Sequence, residues 1–173
     1  MIPRHSSVPR PGAAPPPAQA REYFAVSFGS EGSRETDAWL RRLDPSIQRQ
    51  HVAFRTGEDA AAAALQTRLT SAVVGIRVVL AGPEADVYAC RALALTMGAV
   101  DEELVLLVTP DGSRRVHCPH CQSTTVTDQP VGEVVVCMGC HRNLVIYHHF
   151  SRRTATYLGY MVDAEEPAKE DAA

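Results

Sequence analysis

A near-continuous apolar run, Ile76-Arg77-Val78-Val79-Leu80-Ala81, stands immediately before Gly82 and Pro83. The run lacks the alternation of apolar and polar residues that marks a half-exposed strand, so it is typical of a strand buried on both faces. Such strands occur almost only in parallel sheets whose two faces are covered by helices. The run therefore predicts a parallel sheet with helices on both sides.

The sequence around this run alternates between strand and helix patterns. Further runs of β-branched, aromatic or aliphatic residues predict three more strands: Tyr23–Phe28, His51–Arg55 and Leu104–Thr109. Helical patterns lie between the strands, and Thr36 is expected to cap the first helix. Because the crossover between parallel strands is right-handed, this order predicts a small Rossmann-like α/β domain over residues 21–112.

Four of the five cysteines form two C-x2-C pairs, Cys118-Pro119-His120-Cys121 and Cys137-Met138-Gly139-Cys140. Four thiolates on two tight turns are typical of the closed tetrahedral sites that hold structural Zn²⁺. The β-prone segments around the pairs predict a zinc-ribbon domain over residues 113–163. Gly139 is expected to supply a positive φ in the second turn. A closed four-thiolate shell leaves no position for water, so the metal is expected to be structural.

The cysteine spacing alone does not decide between zinc, iron and disulfide bonds. Mononuclear iron accepts the same tetrathiolate geometry as zinc, whereas disulfides are rare in a reducing compartment. The cysteine spacing does not match the ferredoxin patterns. Cys90 is expected to be a core residue rather than a nucleophile. Five nearby histidines are not needed as ligands, because four thiolates complete the shell: His117, His120, His141, His148 and His149.

The two chain termini and the overall composition restrict the domain boundaries and the classes of partner. Residues 1–20 contain six of the twelve prolines and predict a disordered arm, and residues 164–173 predict a disordered acidic tail. The net charge is -3, from 17 basic and 20 acidic residues, whereas nucleic-acid binding needs a cationic excess. The sequence shows neither a secretory signal nor a membrane span, which requires roughly 20 apolar residues. We therefore expect a cytoplasmic protein without nucleic-acid or membrane partners.

Two stretches after the cysteine pairs are distinctive, Leu144-Val145-Ile146-Tyr147-His148-His149-Phe150-Ser151-Arg152-Arg153 and Tyr157-Leu158-Gly159-Tyr160-Met161-Val162-Asp163-Ala164-Glu165. Together with the pairs, they resemble the DmmA-type small subunit of bacterial dimethylamine monooxygenase. Residues 22–108 also resemble the nucleotide-binding half of ferredoxin-reductase-type reductases, most clearly at residues 78–84. Those reductases carry a cysteine where this chain has Ala81, and their Gly-rich first loop has no counterpart before Tyr23. The resemblance therefore implies the fold more than a retained nucleotide site.

The DmmA resemblance implies an accessory subunit of a heteromeric complex that oxidatively demethylates a secondary amine with NADPH and O2. Haem, FMN and iron-sulfur cofactors are then expected in the partner subunits, and no catalytic or cofactor-binding residue is assigned to this chain. Two alternatives from other classes remain: a rubredoxin-like iron protein that transfers electrons, and a zinc ribbon that binds nucleic acid. From Arg114 to Met161 the protein residues carry +3. Four thiolates and one Zn²⁺ reduce this to about +1, too little for a phosphate-binding face.

The C-terminal stretches also carry a candidate interface with the partner subunits. Aromatic residues and arginines are enriched at the energetic centres of protein interfaces. Six residues of these types are therefore predicted to contact partners: Tyr147, Phe150, Arg152, Arg153, Tyr157 and Tyr160. The alternative is that the aromatic residues pack the ribbon against the α/β domain of the same chain.

Overall fold

The computed structural model describes residues 7–9, 20–57, 59–110 and 112–162. Its first part contains four strands, β1 (Glu22–Phe28), β2 (Gln48–Phe54), β3 (Ile76–Gly82) and β4 (Leu104–Val108). Three helices connect them, α1 (Gly29–Leu40), α2 (Asp59–Thr70) and α3 (Glu84–Thr96). The strands form one parallel sheet in the order β2-β1-β3-β4.

Helices cover both faces of this sheet, as the apolar run in β3 predicts. Val78 belongs to the same buried cluster as Leu65 of α2 and Val87 of α3. The next residue along the strand, Val79, faces the opposite way and joins a cluster that contains Trp39 of α1. Alternate residues of one strand therefore pack against different helices, and the predicted Rossmann-like α/β fold class is confirmed.

Helix α1 begins earlier than the sequence predicted. Thr36 does not cap it but lies inside it, where the threonine hydroxyl donates a hydrogen bond to the Gly32 carbonyl at 2.8 Å. The helix starts at Gly29, whose φ of 69° is one that glycine adopts without strain. The prediction for Thr36 was wrong because this glycine carries the chain directly from β1 into the helix, without a capping side chain.

The second part of the chain forms a five-stranded sheet. Its strands are β5 (Arg114–His117), β6 (Thr124–Thr127), β7 (Val134–Val136), β8 (Asn143–Ser151) and β9 (Thr156–Met161). They lie in the order β6-β5-β9-β8-β7 and pair antiparallel, except that β5 and β9 run parallel. We call residues 112–162 the four-cysteine module. Among the described residues, no helix combines the length and apolar character that a membrane crossing needs.

The two sheets share a buried core. Tyr88 of α3 packs edge-to-face on Phe150 of β8, with ring centroids 5.5 Å apart. Phe150 packs in the same way on Tyr157 of β9 at 5.0 Å. Tyr157 also hydrogen-bonds to the carboxyl group of Glu84 at the start of α3, and burial raises the pKa of that carboxyl group above its ordinary value. Aromatic packing therefore joins the module to the α/β unit.

A described segment of the N-terminal arm, Ser7–Pro9, lies against the folded chain. Val8 is 5% exposed and belongs to the core cluster that contains Tyr88 and Phe150. The prediction of a disordered arm is therefore wrong for Ser7–Pro9, which have hydrogen-bond partners on both parts of the chain. The rest of the predicted arm, apart from Ala20, lies outside the described residues, as does the predicted acidic tail at 164–173.

Candidate metal centre

The fold brings the four paired cysteines together. Each offers one sulfur atom, and the four Sγ atoms lie within 4.8 Å of one another. Cys118 Sγ is 3.7 Å from Cys140 Sγ, and Cys121 Sγ is 3.5 Å from Cys137 Sγ. A tetrahedron with metal–sulfur bonds of about 2.3 Å has edges of about 3.8 Å. The sulfur arrangement thus fits a single tetrahedral metal ion.

The first cysteine pair lies on a turn closed by two backbone hydrogen bonds. The N–H of Gln122 donates to the Cys118 carbonyl at 2.9 Å, and the N–H of Cys118 donates to the Ser123 carbonyl at 2.9 Å. Gln122 adopts a φ of 66°, in the left-handed region. This reversal directs the N–H of Ser123 toward Cys121 Sγ, to which it hydrogen-bonds.

The second pair repeats this turn. The N–H of His141 donates to the Cys137 carbonyl at 3.0 Å, and the N–H of Cys137 donates to the Arg142 carbonyl at 2.9 Å. His141 takes the position of Gln122, with a φ of 58°. The N–H of Arg142 in turn hydrogen-bonds to Cys140 Sγ. Two copies of one local structure therefore hold two sulfur atoms each.

Gly139 allows close packing at the site and does not supply the positive φ that the sequence predicted. Its φ is not positive, and the left-handed position of this turn belongs to His141 instead. A Cβ atom at residue 139 would lie 2.8 Å from Ser123 Cβ and 3.0 Å from Cys121 Sγ. The glycine is therefore required because the two turns pack too closely to admit a side chain.

Backbone and side-chain hydrogen bonds to the sulfur atoms act to lower the pKa of the thiols, which favours the thiolate form that binds metal. The hydroxyl of Ser123, and then its N–H, lower the pKa of Cys121 to about 6. The N–H of Cys140, followed by that of Gly139, lowers the pKa of Cys137. The N–H of Arg142 also acts to lower the pKa of Cys140, but burial and the neighbouring thiols raise it to about 12. Four thiolates this close repel one another, so full ionisation requires a cation among them.

Ser123 and Thr125 are site residues that the sequence analysis missed. Ser123 contacts Cys121 through its hydroxyl, and the hydroxyl of Thr125 accepts a hydrogen bond from the N–H of Met138 at 3.0 Å. Both lie within a few residues of the first cysteine pair: Ser123 contacts a sulfur of that pair, and Thr125 reaches the turn of the second pair. A hydroxyl residue two positions after a C-x2-C pair is the signal that would have identified Ser123.

We predict that Ser123→Ala weakens metal binding without preventing folding. The substitution removes the hydroxyl bond to Cys121 and keeps the backbone N–H bond, so the thiolate loses part of its stabilisation. Loss of such outer-shell partners typically costs 10–100-fold in metal affinity, and we expect about tenfold here. Competition with a chromogenic chelator measures the affinity, with the exposed Ser30→Ala as control; equal affinities for the two variants would contradict the prediction.

The other candidate residues lie apart from the cluster. Cys90 is 4% exposed, and burial raises its pKa to about 12, which fits the predicted core role. The nearby histidines do not join the cysteine cluster among the described residues. His117 and His149 instead line a separate cavity of about 220 Å³ together with Tyr157.

The predicted interface residues divide into two groups. Tyr147 and Tyr160 are each 45% exposed, and Arg152 and Arg153 are also exposed. Two further residues are buried and cannot line an outer surface of this chain: Phe150, 4% exposed, and Tyr157, 2% exposed. For these two the interface prediction is corrected, because their rings form the core between the two sheets.

The carboxyl edge of the parallel sheet, where Rossmann-like proteins bind nucleotides, is partly covered. The N–H of Ala85, in the first turn of α3, donates to the Ser113 carbonyl at 2.8 Å. Beside this edge, a cavity of about 320 Å³ is lined by residues 106–110 and by Glu31 and Glu35. A backbone carbonyl at the helix start and two carboxylates nearby disfavour a phosphate at this edge.

Fold and site together define a class of protein, a Rossmann-like unit joined to a four-cysteine β module. Residues 115–160 match the family model "Dimethylamine monooxygenase subunit DmmA-like, C-terminal domain". The chain is 36% identical, over 93% of its own length and 91% of that protein, to the heme-dependent oxidative N-demethylase delta subunit of Ectopseudomonas mendocina (strain ymp). This chain therefore belongs to the family of that delta subunit, and the DmmA resemblance is confirmed. No solved structure matches the chain.

Proposed function

We propose that this protein is an accessory subunit of a haem- and flavin-containing amine monooxygenase, which demethylates a secondary amine such as dimethylamine with NADPH and O2. The supporting observation is the 36% identity over 93% of the chain to a delta subunit of a heme-dependent oxidative N-demethylase. Haem, FMN and iron-sulfur groups then belong to the partner subunits. We place the complex in the cytoplasm, where reduced thiols are maintained.

The contribution of this chain is structural. Cys118, Cys121, Cys137 and Cys140 would hold Zn²⁺ in a closed shell, which supplies folding free energy rather than an activated water. Cys118 and Cys137 are fully buried and pack with Leu144 of β8, so the metal would tie the two turns to the sheet. The ion would thereby fix the shape of the module for its partners.

A second candidate function is electron transfer by an iron ion in the same site. The observation that favours it is the sulfur geometry, since tetrathiolate iron and zinc share a tetrahedral arrangement. The two readings differ in colour, because a ferric tetrathiolate absorbs visible light and a zinc site does not. A visible spectrum of the isolated, anaerobically purified chain therefore separates them.

An exposed apolar face of the module supports the partner role. The strand register aligns Val134 of β7, Val145 of β8 and Tyr160 of β9 side by side, so they point to the same side of the sheet. Val134 is 46% exposed and Tyr160 is 45% exposed. Contiguous exposed apolar patches are a feature of interaction surfaces, and the cross-strand alignment of these residues supports such a role. We assign this face, together with Arg152 and Arg153, to contacts with the other subunits.

We predict that Tyr160→Ala weakens assembly while the metal stays bound. Truncating an interface hot spot costs about 2 kcal/mol or more, which corresponds to roughly thirtyfold in affinity. Arg153→Glu is expected to weaken assembly as well, through its reversed charge. Co-purification with the tagged haem-bearing subunit measures the effect, and metal content is followed in parallel. The matched control is Arg34→Glu, on an exposed side chain of α1; full stoichiometry for both module variants would contradict the interface.

The proposed function is tested by co-expressing this chain with the other subunits from its own genome. With the chain present, the complex is expected to oxidise a secondary amine at the expense of NADPH. Without it, assembly or activity is expected to fall, whereas the isolated chain has no activity. Equal turnover of the complex with and without this chain would contradict the proposal.

A further inference from the structure

A short segment of the N-terminal arm occupies a groove between α3 and β8. The Oγ of Ser7 accepts a hydrogen bond from the N–H of Phe150 at 2.8 Å, and the Ser7 carbonyl accepts one from Arg152 Nε at 2.8 Å. Two residues later, the Pro9 carbonyl accepts a hydrogen bond from the Tyr88 hydroxyl at 2.8 Å. The segment thus bonds to the α/β unit at one end and to the four-cysteine module at the other.

The residue between these anchors is buried. Val8 is 5% exposed and shares a core cluster with Tyr88, Phe150 and Tyr157. The three aromatic rings pack edge-to-face in succession, with centroids 5.5 and 5.0 Å apart. A row of aromatic rings flanked by hydrogen-bond donors is the type of groove that accepts extended, proline-containing peptides.

The sequence of the segment suits this groove. Val8 precedes Pro9, and a residue before proline is biased toward extended conformations, so less entropy is lost on binding. Proline has no N–H, so its burial leaves no backbone donor without a partner. The hydroxyl and the carbonyl of Ser7 both accept hydrogen bonds from groups on β8 and the turn that follows it.

We propose that the groove between α3 and β8 is a binding site for an extended Ser-Val-Pro peptide, and that the N-terminal arm of the same chain fills it. The arm then acts as a strap that holds the α/β unit and the four-cysteine module in one relative orientation. Its partners are 79 residues away in sequence at Tyr88 and 143 residues away at Phe150. A short segment that is far from Tyr88 and Phe150 in sequence thereby packs where the α/β unit contacts the four-cysteine module.

Amide hydrogen exchange at Phe150 tests the proposal in the full-length chain. Ser7→Ala removes the acceptor of the Phe150 N–H and is expected to accelerate its exchange about tenfold, whereas Ser7→Thr keeps an acceptor and is expected to retain protection. Val8→Asp is expected to release the whole segment and to lower the melting temperature. The control is Val74→Asp, at a residue 89% exposed. Unchanged Phe150 exchange in Ser7→Ala and Val8→Asp would overturn the proposal.

A synthetic peptide with the sequence of residues 1–12 tests the groove itself. Added to the Val8→Asp protein, the wild-type peptide is expected to restore protection of the Phe150 amide, and a peptide with aspartate in place of valine is not. Protection that stays absent with saturating wild-type peptide would overturn the groove as a peptide site. Exchange in the wild-type chain is expected to be independent of protein concentration; acceleration on dilution would place the arm of a second copy in the groove and overturn the intramolecular assignment.

Discussion

Replacing Cys137 with serine is expected to remove the metal and unfold the four-cysteine module. The Cys137 side chain is fully buried, it accepts a hydrogen bond from the N–H of Gly139 at 3.4 Å, and it packs with Leu144. Structural zinc contributes about 10 kcal/mol or more to the folding of zinc-finger peptides at neutral pH. We therefore expect metal content near zero and a melting temperature lower by about 10 °C or more. Elemental analysis and circular dichroism measure the two effects.

Cys90→Ser is the matched control for this substitution. Cys90 is also a buried cysteine, but it lies in α3 and outside the sulfur cluster. The control is expected to lose some stability through the buried hydroxyl and to keep its metal in full. Retention of stoichiometric metal and of wild-type stability by Cys137→Ser would show that this residue is not a ligand.

Gly32→Ala is expected to produce the second large effect, on the α/β unit. A Cβ atom at residue 32 would lie 2.6 Å from the Ala81 carbonyl oxygen and 2.9 Å from Gly82 Cα. These are backbone atoms of a central strand, which cannot move without breaking its pairing with β1 and β4. Overpacking of this kind typically costs 1–3 kcal/mol, so we expect the melting temperature to fall by about 5–10 °C.

Urea unfolding monitored by circular dichroism measures this loss directly. Ser30→Ala is the control, since it introduces the same side chain in the same helical turn at an exposed position. The control is expected to change the free energy of unfolding by less than about 0.5 kcal/mol. If Gly32→Ala were as stable as wild type, the close contact between α1 and β3 would not be a constraint.

Much of the α/β fold could be predicted from the sequence, because burial on both faces leaves a strong signal. The run that contains Val78 and Val79 predicted a parallel strand buried on both faces, and the structure confirms it with helices on both sides. The start of α1 could not be predicted from a search for capping side chains. Gly29 allows the chain to turn from β1 into α1 because glycine adopts its positive φ without strain. Gly32 allows α1 to pack closely on β3 because it has no side chain. A search for N-cap residues detects neither property.

The four-cysteine cluster was predicted from the spacing of the cysteines together with the β-prone segments around them, because a C-x2-C turn places two sulfur atoms close together. The residues that support it were harder to identify. Gly139 is constrained by a contact with Ser123 across the site, and that contact depends on how the two turns pack. Phe150 and Tyr157 have the composition of interface residues, yet they are buried because the module packs on α3.

The arm was predicted to be disordered because it is rich in proline and has too little apolar surface to form a core of its own. Composition describes what a segment can bury by itself and does not describe a groove formed elsewhere in the chain. Val8 is buried because Tyr88 and Phe150, distant in sequence, supply the apolar surface that the arm lacks. Contacts of this kind leave no local pattern in the sequence.

We propose that the four cysteines hold one structural zinc ion and that this accessory subunit carries no redox centre of its own. Elemental analysis of the isolated wild-type chain, purified anaerobically without added metal, tests it most directly. We expect one zinc per chain and no stoichiometric iron. One iron per chain in place of zinc would contradict the zinc assignment and would favour the electron-transfer alternative.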